Sequence, residues 1–509
     1  MSGGNEFFTA AKGSLEQAMA FWPEPREKSA GAEAAELIQQ AEHNFGVDIS
    51  ARAECLGRIT CVEGAHFILC LDSQTAKMDA GFSLKRSALV KVAGEQSVIY
   101  GVVTALTVPA PAHSEISDEV ELAEVELIGE AVSIGDRAFF RKGVGDVPTL
   151  GDLVYLATGD DIALIEQGVE QGPLIMGEVM GTMPRPAKLG AEPFLSSNTL
   201  ICGKDVDGLN NVVRVLARQA QMARPEASVA ILDSRGHFKD VGEDAEWLIP
   251  LKRAACPFWE LPSEVLTLMA CGEFAPEQLV SRVQPFVEQA LRQQWTPSCR
   301  DNHKVFLETL YSLTGDEADM SHIITAFEAM VEDEALHVFF EDGCVPLRER
   351  LSSRHALVFD ASNLAVSALR YFTLAFLSQV TRKKEGPWAD YVFIDDIDCL
   401  FNTAPPLLKT MMLGKIAEFL RHQRVVGGGS SFICQNIDLL PDGVEQQIDG
   451  VIAFRMSSPA MIERLKQFDV DKRGALLDML PILDSGQALV FGDLVPLAER
   501  CWVGKPESN

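Results

Sequence analysis

From about residue 195 onward, short unbroken apolar runs alternate with longer stretches of helical periodicity. The runs are Thr199–Cys202, Ser228–Asp233, Ala356–Asp360, Tyr391–Asp395, Ser431–Cys434, Gly450–Phe454 and Gln487–Phe491. Unbroken apolar runs, without polar alternation, are expected of parallel strands covered by helices on both faces. Between about 260 and 350 the pattern is helical and partly acidic, from Asp316 to Asp342, which predicts a helical insertion between two core strands. Upstream, short strand-like segments are punctuated by Gly, Asp and Pro. They include Gly57–Val62, His66–Leu71, Ser97–Val103, Val120–Ile128 and Asp152–Leu156, a spacing that suits a small β-barrel. Met183–Leu189, with two prolines, reads as a linker. Residues 1–50 are helix-prone, with Phe7, Phe8, Leu15, Met19 and Phe21 on one stretch that breaks at Pro23 and Pro25, and a second stretch at Ala34–Phe45. They fit either a helical cap on their own subunit or a docking arm. The expected organisation is a helical extension over 1–50, a barrel over 51–187 and an α/β core over 195–505. No internal repeat is evident.

The first core run leads into candidate chemistry. Ser197-Asn-Thr-Leu-Ile-Cys-Gly-Lys-Asp-Val-Asp-Gly-Leu-Asn-Asn-Val-Val-Arg-Val-Leu216 has the outline of a phosphate-binding loop, with Gly203 and Gly208 bounding the loop and an apolar helix after it. The working pattern G-x-x-x-x-G-K-[ST] places lysine and a hydroxyl directly after the second glycine. Here those positions hold Leu209 and Asn210. Leu209 carries neither charge nor donor, and the Asn210 amide is a poor substitute for a magnesium-bound hydroxyl. Asp205 and Asp207 add negative charge where a polyphosphate would sit. Each carboxylate–phosphate pair at about 4 Å costs roughly 1–4 kcal/mol, depending on local dielectric. Lys204 offsets part of this from the start of the loop. By itself the segment also fits an ordinary strand-turn-helix.

Three further segments add to the set. Asp390-Tyr-Val-Phe-Ile-Asp-Asp-Ile-Asp398 is an apolar strand ending in acids, a Walker B-type pattern. Asp395 would hold magnesium, and Asp396 stands where a longer glutamate usually orients the attacking water. A carboxylate set back by one methylene can cost about a hundredfold in rate. Strand-end acids also serve simply to solvate a loop. Ala417–Asn436 carries Arg421 and Arg424 on a helix, then glycines, then a strand ending at Gln435. Gln435 could sense a γ-phosphate, and an arginine before that strand could reach a neighbouring subunit's nucleotide. Both arginines also fit plain surface charges. Ile231-Leu-Asp-Ser-Arg-Gly-His-Phe238 places Asp233 at a strand end before a tight turn.

Composition narrows the picture. The chain has 509 residues, 47% hydrophobic and 23% charged, enough for about two to four domains with a sizeable core. No apolar run approaches the roughly 18–20 residues that span a bilayer, and the start lacks a secretory pattern, so a cytosolic location without membrane contact is expected. A formal net charge of −29 confines any DNA contact to a local surface such as a pore lining. The eleven cysteines form no C-x-x-C pair, and Cys55, Cys61 and Cys70 match no zinc spacing. Those in apolar runs, such as Cys202, Cys399 and Cys434, fit small buried hydrophobes.

Taken in order, these segments resemble the HerA branch of the FtsK/HerA ATPases. Gly57-Arg-Ile-Thr-Cys-Val-Glu-Gly64 is similar to the start of that family's barrel, and 198–216 to its P-loop strand and helix. Asp233–Phe238 resembles its D-x-x-G-E-[YF] turn, and Val358-Phe-Asp-Ala-Ser-Asn-Leu364 a V-x-D-L-S-x-L strand. Phe393–Asp396 is similar to its Walker B. Cys434–Pro441 resembles T-Q-x-P-x-x-L-P, and Asp484–Gly492 the closing P-G-x-A-x-x-x-G. The resemblance implies a RecA-like P-loop core and a ring, typically hexameric, that moves double-stranded DNA through a central pore, often with a nuclease docked on the barrel side. ATP and magnesium are the implied cofactors. Departures fall on the chemistry: Leu209 and Asn210, His237 for the turn glutamate, Asp396 for the Walker B glutamate and Cys434 for the sensor threonine. Gly203, Lys204, Gly208, Asn210 and Asp233 remain the candidate nucleotide contacts. Asp395, Asp396, Arg421, Arg424 and Gln435 remain the candidate catalytic set, with Asp395 as metal ligand. The expectation is a hydrolysis-deficient ring component of a DNA-processing or defence complex, with weak or lost nucleotide binding, in a homomeric ring or beside an active HerA-type subunit. The alternatives are an active translocase that recruits Lys204, and an adaptor without a DNA role.

Overall fold

The computed structural model describes residues 55–72, 84–94, 97–108, 121–134, 137–167, 173–180, 185–225, 228–241, 248–250, 256–272, 274–292, 295, 301–314, 318–341, 347, 357–381, 390–468 and 474–504. The helical extension expected over 1–50 lies outside them. The described chain divides into two compact units.

The first unit is built from strands β1 (Cys55–Glu63), β2 (His66–Leu71), β3 (Leu89–Ala93), β4 (Ser97–Thr107), β5 (Leu122–Ile134), β6 (Arg137–Lys142) and β7 (Leu153–Leu156). Every pairing among them is antiparallel, in the order β2-β1-β7-β3-β4-β5-β6. A further β2–β5 pairing closes six strands into a barrel, with β6 carried outside on β5. Alternate side chains such as Phe67, Leu69, Val90, Val92, Ile99, Val103 and Val125 fill the interior. Closure requires tight bends. At one, Gly57 has φ +154, and a Cβ there would stand 1.9 Å from the Cys70 carbonyl oxygen. The helix Gly159–Glu166 starts in a capping box between Thr158 and Asp161. Asp161 also receives Lys91 Nζ at 2.7 Å and the Tyr100 hydroxyl at 2.8 Å, and all three side chains are buried.

The second unit holds β8 (Leu174–Val179), β9 (Arg185–Leu189), β10 (Asn198–Cys202), β11 (Val229–Asp233), β12 (Leu248–Pro250), β13 (Leu357–Asp360), β14 (Tyr391–Ile394), β15 (Gly429–Cys434), β16 (Gly450–Phe454), β17 (Gln487–Gly492) and β18 (Glu499–Val503). They form one sheet in the order β12-β13-β11-β14-β15-β10-β16-β17-β18-β8-β9. From β12 to β16 the neighbours are parallel; from β16 outward they are antiparallel. In β10, β11 and β13 to β17 every residue is buried, because both faces are covered by apolar clusters. Residues 185–189, read from sequence as a linker, form β9. With β8 they belong to the sheet of this unit, so the core starts before the expected boundary at 187.

The expected insertion contains helices Ser263–Cys271, Glu277–Leu291, Asn302–Thr314 and Ala318–Glu332. Their buried residues join the cluster on one face of the sheet, around Phe258, Phe306, Phe327 and Phe340. Phe258 contacts Trp259, Trp295, Phe306 and Phe340 with ring centroids 5.1–5.5 Å apart, the spacing of aromatic pairs that add to simple burial.

Candidate functional site

Parallel strands bring the carboxyl ends of β10, β11, β13, β14, β15 and β16 to one edge of the sheet. The strand order places β10 between β15 and β16, while the chain leaving β10 goes on to β11, three places away. This is a topological switch point, where a crevice forms in open α/β sheets. Gly203, Asp233, Asp395 and Gln435 follow or end these strands and therefore share the edge.

The loop after β10 is shorter than the glycine spacing predicts. Helix Val206–Ala223 starts three residues after Gly203, so Gly208 lies in its first turn instead of ending a loop. Asp205 is the reason. It is the helix N-cap, and its carboxylate accepts the Gly208 N–H at 3.2 Å. It also accepts the Gly486 N–H at 2.6 Å and the Ser485 hydroxyl at 3.2 Å. Neighbouring donors are engaged as well: Gly203 N–H meets the Cys434 carbonyl at 3.2 Å, and Lys204 N–H the Arg455 carbonyl at 3.0 Å. The glycines serve packing. A Cβ on Gly203 would lie 2.8 Å from Phe454 Cβ, and one on Gly208 2.6 Å from the Phe454 ring. Leu209 is fully buried, in the same apolar cluster as Phe454, Ile201 and Ile231. The Lys204 side chain is exposed.

Across the edge, Asp233 is wholly buried and spent on its own turn. Its carboxylate accepts backbone N–H groups from Arg235 (3.3 Å), Gly236 (2.7 Å), His237 (3.0 Å) and Phe238 (2.8 Å). Gly236 supplies the positive φ of +75 that the turn needs. The turn presents Arg235 to Asp395. Arg235 Nε donates to Asp395 Oδ2 at 3.0 Å and Nη2 donates to Oδ1, a forked pair on a carboxylate with no exposed surface. Nη2 also reaches Asn210 Oδ1 at 3.5 Å. Burial pushes the Asp395 carboxyl up to about 6 against the pull of the guanidinium, with Asp233 and Asp396 adding to the rise. Although burial works against its charge, Arg235 is held more firmly protonated by its hydrogen bonds and attraction to Asp395, with Asp396 and Asp398 adding to the effect.

Asp396 adopts the left-handed conformation, φ 54, ahead of the short helix Ile397–Phe401. Such a conformation in a residue other than glycine is uncommon and is found at functional or strained turns. Asp398 ties this turn to the end of β15, accepting N–H groups from Asn436 at 2.9 Å and Gln435 at 3.4 Å. Cys434, at the sensor position, is paired in register with Cys202; both are buried, and burial pushes both thiols well up.

The structure thus gathers Asn210, Asp233, Asp395, Asp396 and Gln435 with Gly203, Lys204 and Gly208 at one edge. Arg421 and Arg424 lie at the other. They occupy the last two turns of helix Pro406–Val426, which ends just before β15 begins. Arg424 pairs with Asp449, and Asp449 accepts the Asn198 N–H that opens β10. A four-residue strand separates the two edges by roughly 13 Å. Arg421 is exposed. Arg235 escaped the sequence reading although it sits inside the quoted turn. Its signal was a strong cation two residues after a strand-end acid.

These groups do not fit a magnesium–nucleotide complex. A carboxylate holds the Gly208 amide, an aliphatic side chain is sealed into the core at the expected lysine position, and a guanidinium stands on Asp395, the acid expected to hold the metal. Among the described residues, no group of three or more His, Cys, Asp or Glu side chains is arranged to hold a metal ion, and no helix is long and apolar enough to cross a membrane.

No protein-family model and no curated protein matches the chain. Solved structures do. VirB4 of Thermoanaerobacter pseudethanolicus is similar over 65% of this chain and 96% of that one, with 13% identity and a TM-score of 0.50. The pCW3 conjugation coupling protein TcpA, in a monomer form with ATPγS, aligns over 92% and 94% with 11% identity and a TM-score of 0.30. B204, the DNA-packaging ATPase of Sulfolobus Turreted Icosahedral Virus, aligns over 60% and 97% with 11% identity and a TM-score of 0.29. The likeness to VirB4 concerns the fold alone, an α/β core.

Proposed function

We propose that the chain is a HerA-like ring subunit that does not hydrolyse ATP. The ordered set of family-like segments and the P-loop type of fold support the family reading. One observation carries the loss of hydrolysis: Leu209, at the position of the phosphate-binding lysine, is fully buried in the apolar core behind a helix that begins at Val206. Its role is then structural, in a hexameric ring of the cytosol through which double-stranded DNA passes, alone or mixed with a catalytic HerA-type subunit and a nuclease. Arg421, exposed and remote from its own candidate site, remains available to a neighbour.

Calorimetric titration of the purified full chain with Mg-ATP, together with a turnover assay with and without duplex DNA, tests this reading. No heat of binding and no turnover are expected. Micromolar affinity with DNA-stimulated hydrolysis would end it. One observation favours a rival, an active translocase that uses Lys204: that side chain is exposed beside the shortened loop.

A further inference from the structure

We infer that Arg235 is a built-in cation that takes the place of the divalent metal, so that the second unit completes its own core without a metal–nucleotide complex. The inference rests on the reading of the chain as a non-hydrolysing P-loop fold. In that fold, magnesium bridges two positions: the first helix residue after the lysine and the acid at the end of the Walker B strand. Here these are Asn210 and Asp395. The Arg235 guanidinium bridges the same two side chains, with Nη2 3.5 Å from Asn210 Oδ1 and Nε 3.0 Å from Asp395 Oδ2.

Two independent features show that this is a built arrangement. Asp233 spends its whole carboxylate on the turn that aims Arg235, taking four backbone N–H groups, and Ser234 donates its hydroxyl to the Asp395 carbonyl oxygen at 2.9 Å. Among the described residues Arg235 Nη1 is buried with no acceptor, so holding the guanidinium on Asp395 leaves one donor unsatisfied. A carboxylate with no exposed surface needs a cation, and Arg235 is the cation that reaches it.

Replacing the guanidinium by a small neutral group should therefore recreate a demand for a metal. Thermal unfolding of the full chain is measured for the parent, Arg235→Ala and Arg235→Ala/Asp395→Asn, each in EDTA and in millimolar Mn2+, with Mn2+ binding followed by electron paramagnetic resonance. The parent should bind no Mn2+ and keep the same Tm in both buffers. Arg235→Ala should lose roughly 5 °C or more in EDTA, as expected for a bared buried charge, and recover at least half of that loss in Mn2+. The double variant should be more stable than Arg235→Ala in EDTA and should ignore Mn2+. The inference is overturned if Arg235→Ala keeps the parent Tm, or if its loss is untouched by Mn2+. Should Arg235→Ala not fold, the double variant decides: folding without response to Mn2+ supports the inference, and failure to fold sinks it. Hydrolysis of Mg-ATP by the parent would instead strike at the non-hydrolysing reading.

Discussion

Asp205 and Gly486 stand 281 residues apart in sequence, yet the Gly486 N–H donates to the Asp205 carboxylate at 2.6 Å. One side chain thus caps helix Val206–Ala223 and fastens it to the turn that opens β17. An N-cap is worth about 1 kcal/mol, and each buried donor left without a partner costs about 1–3 kcal/mol. Asp205→Ala is expected to lose about 2–3 kcal/mol in denaturant unfolding of the full chain. Asp205→Asn, which keeps one acceptor oxygen, should lose less. Equal stability of Asp205→Ala and the parent would show that the cap contributes nothing.

The burial of Leu209 predicts that restoring the motif does not restore the chemistry. Leu209→Lys would place an ammonium in the apolar cluster that holds Phe454 and Ile231. The effective penalty for an unpaired buried ion is several kcal/mol. The variant should be strongly destabilised, with no gain in ATP binding by calorimetry. A stable Leu209→Lys chain that binds Mg-ATP would mean that the helix can slide back and reopen the loop.

Much of the core was legible because parallel strands buried on both faces write unbroken apolar runs. The runs ending at Cys202, Asp233, Asp360 and Cys434 appear as strands ending at those residues, and Asp395 follows the last residue of β14. The rest depended on contacts distant in sequence. β8 and β9 join the core because β8 pairs with β18, more than three hundred residues away, and nothing local to 174–189 signals that partner. The glycine spacing predicted a loop over 203–208, but Asp205 with a glycine three residues on is also a helix start, and the cap prevailed. Arg235 was hidden because its partner lies 160 residues along. Arg424 has a local pattern that fits a finger reaching a nucleotide. The direction of its helix carries it to the amino edge of the sheet, where it pairs with Asp449.

The first unit should respond to acid through Asp161. Although burial works to raise it, the buried Lys91 ammonium and the Thr158 amide and hydroxyl hold this carboxyl below its ordinary value of 3.8. A carboxyl depressed in the folded state binds fewer protons there than in the unfolded chain. Its stabilising contribution is therefore complete above pH 3.8 and is lost as pH falls below that toward the depressed folded value. Asp161→Asn should flatten this acid limb when barrel unfolding is followed between pH 2 and pH 6 by near-ultraviolet circular dichroism. It should also destabilise the unit at neutral pH, because Lys91 would be left buried without a counter-charge. An unchanged acid limb would assign the acid response to other groups.

Lys204 separates the two readings of the nucleotide site. Its backbone N–H is held by the Arg455 carbonyl at 3.0 Å, while its side chain is exposed and contributes nothing to the apolar core. Removing an exposed side chain of this kind usually changes stability by no more than about 0.5 kcal/mol. Lys204→Ala should therefore fold with the parent Tm, so that any loss of activity reports on chemistry alone. On the proposed reading, in which Asp205, Leu209 and Arg235 close the site, there is no turnover to lose, and parent and variant should be equally silent in an assay with Mg-ATP and duplex DNA. Measurable turnover in the parent that disappears in Lys204→Ala would establish the lysine as a phosphate contact. The shortened loop would then have to open by unwinding Val206–Gly208 from the first turn of its helix.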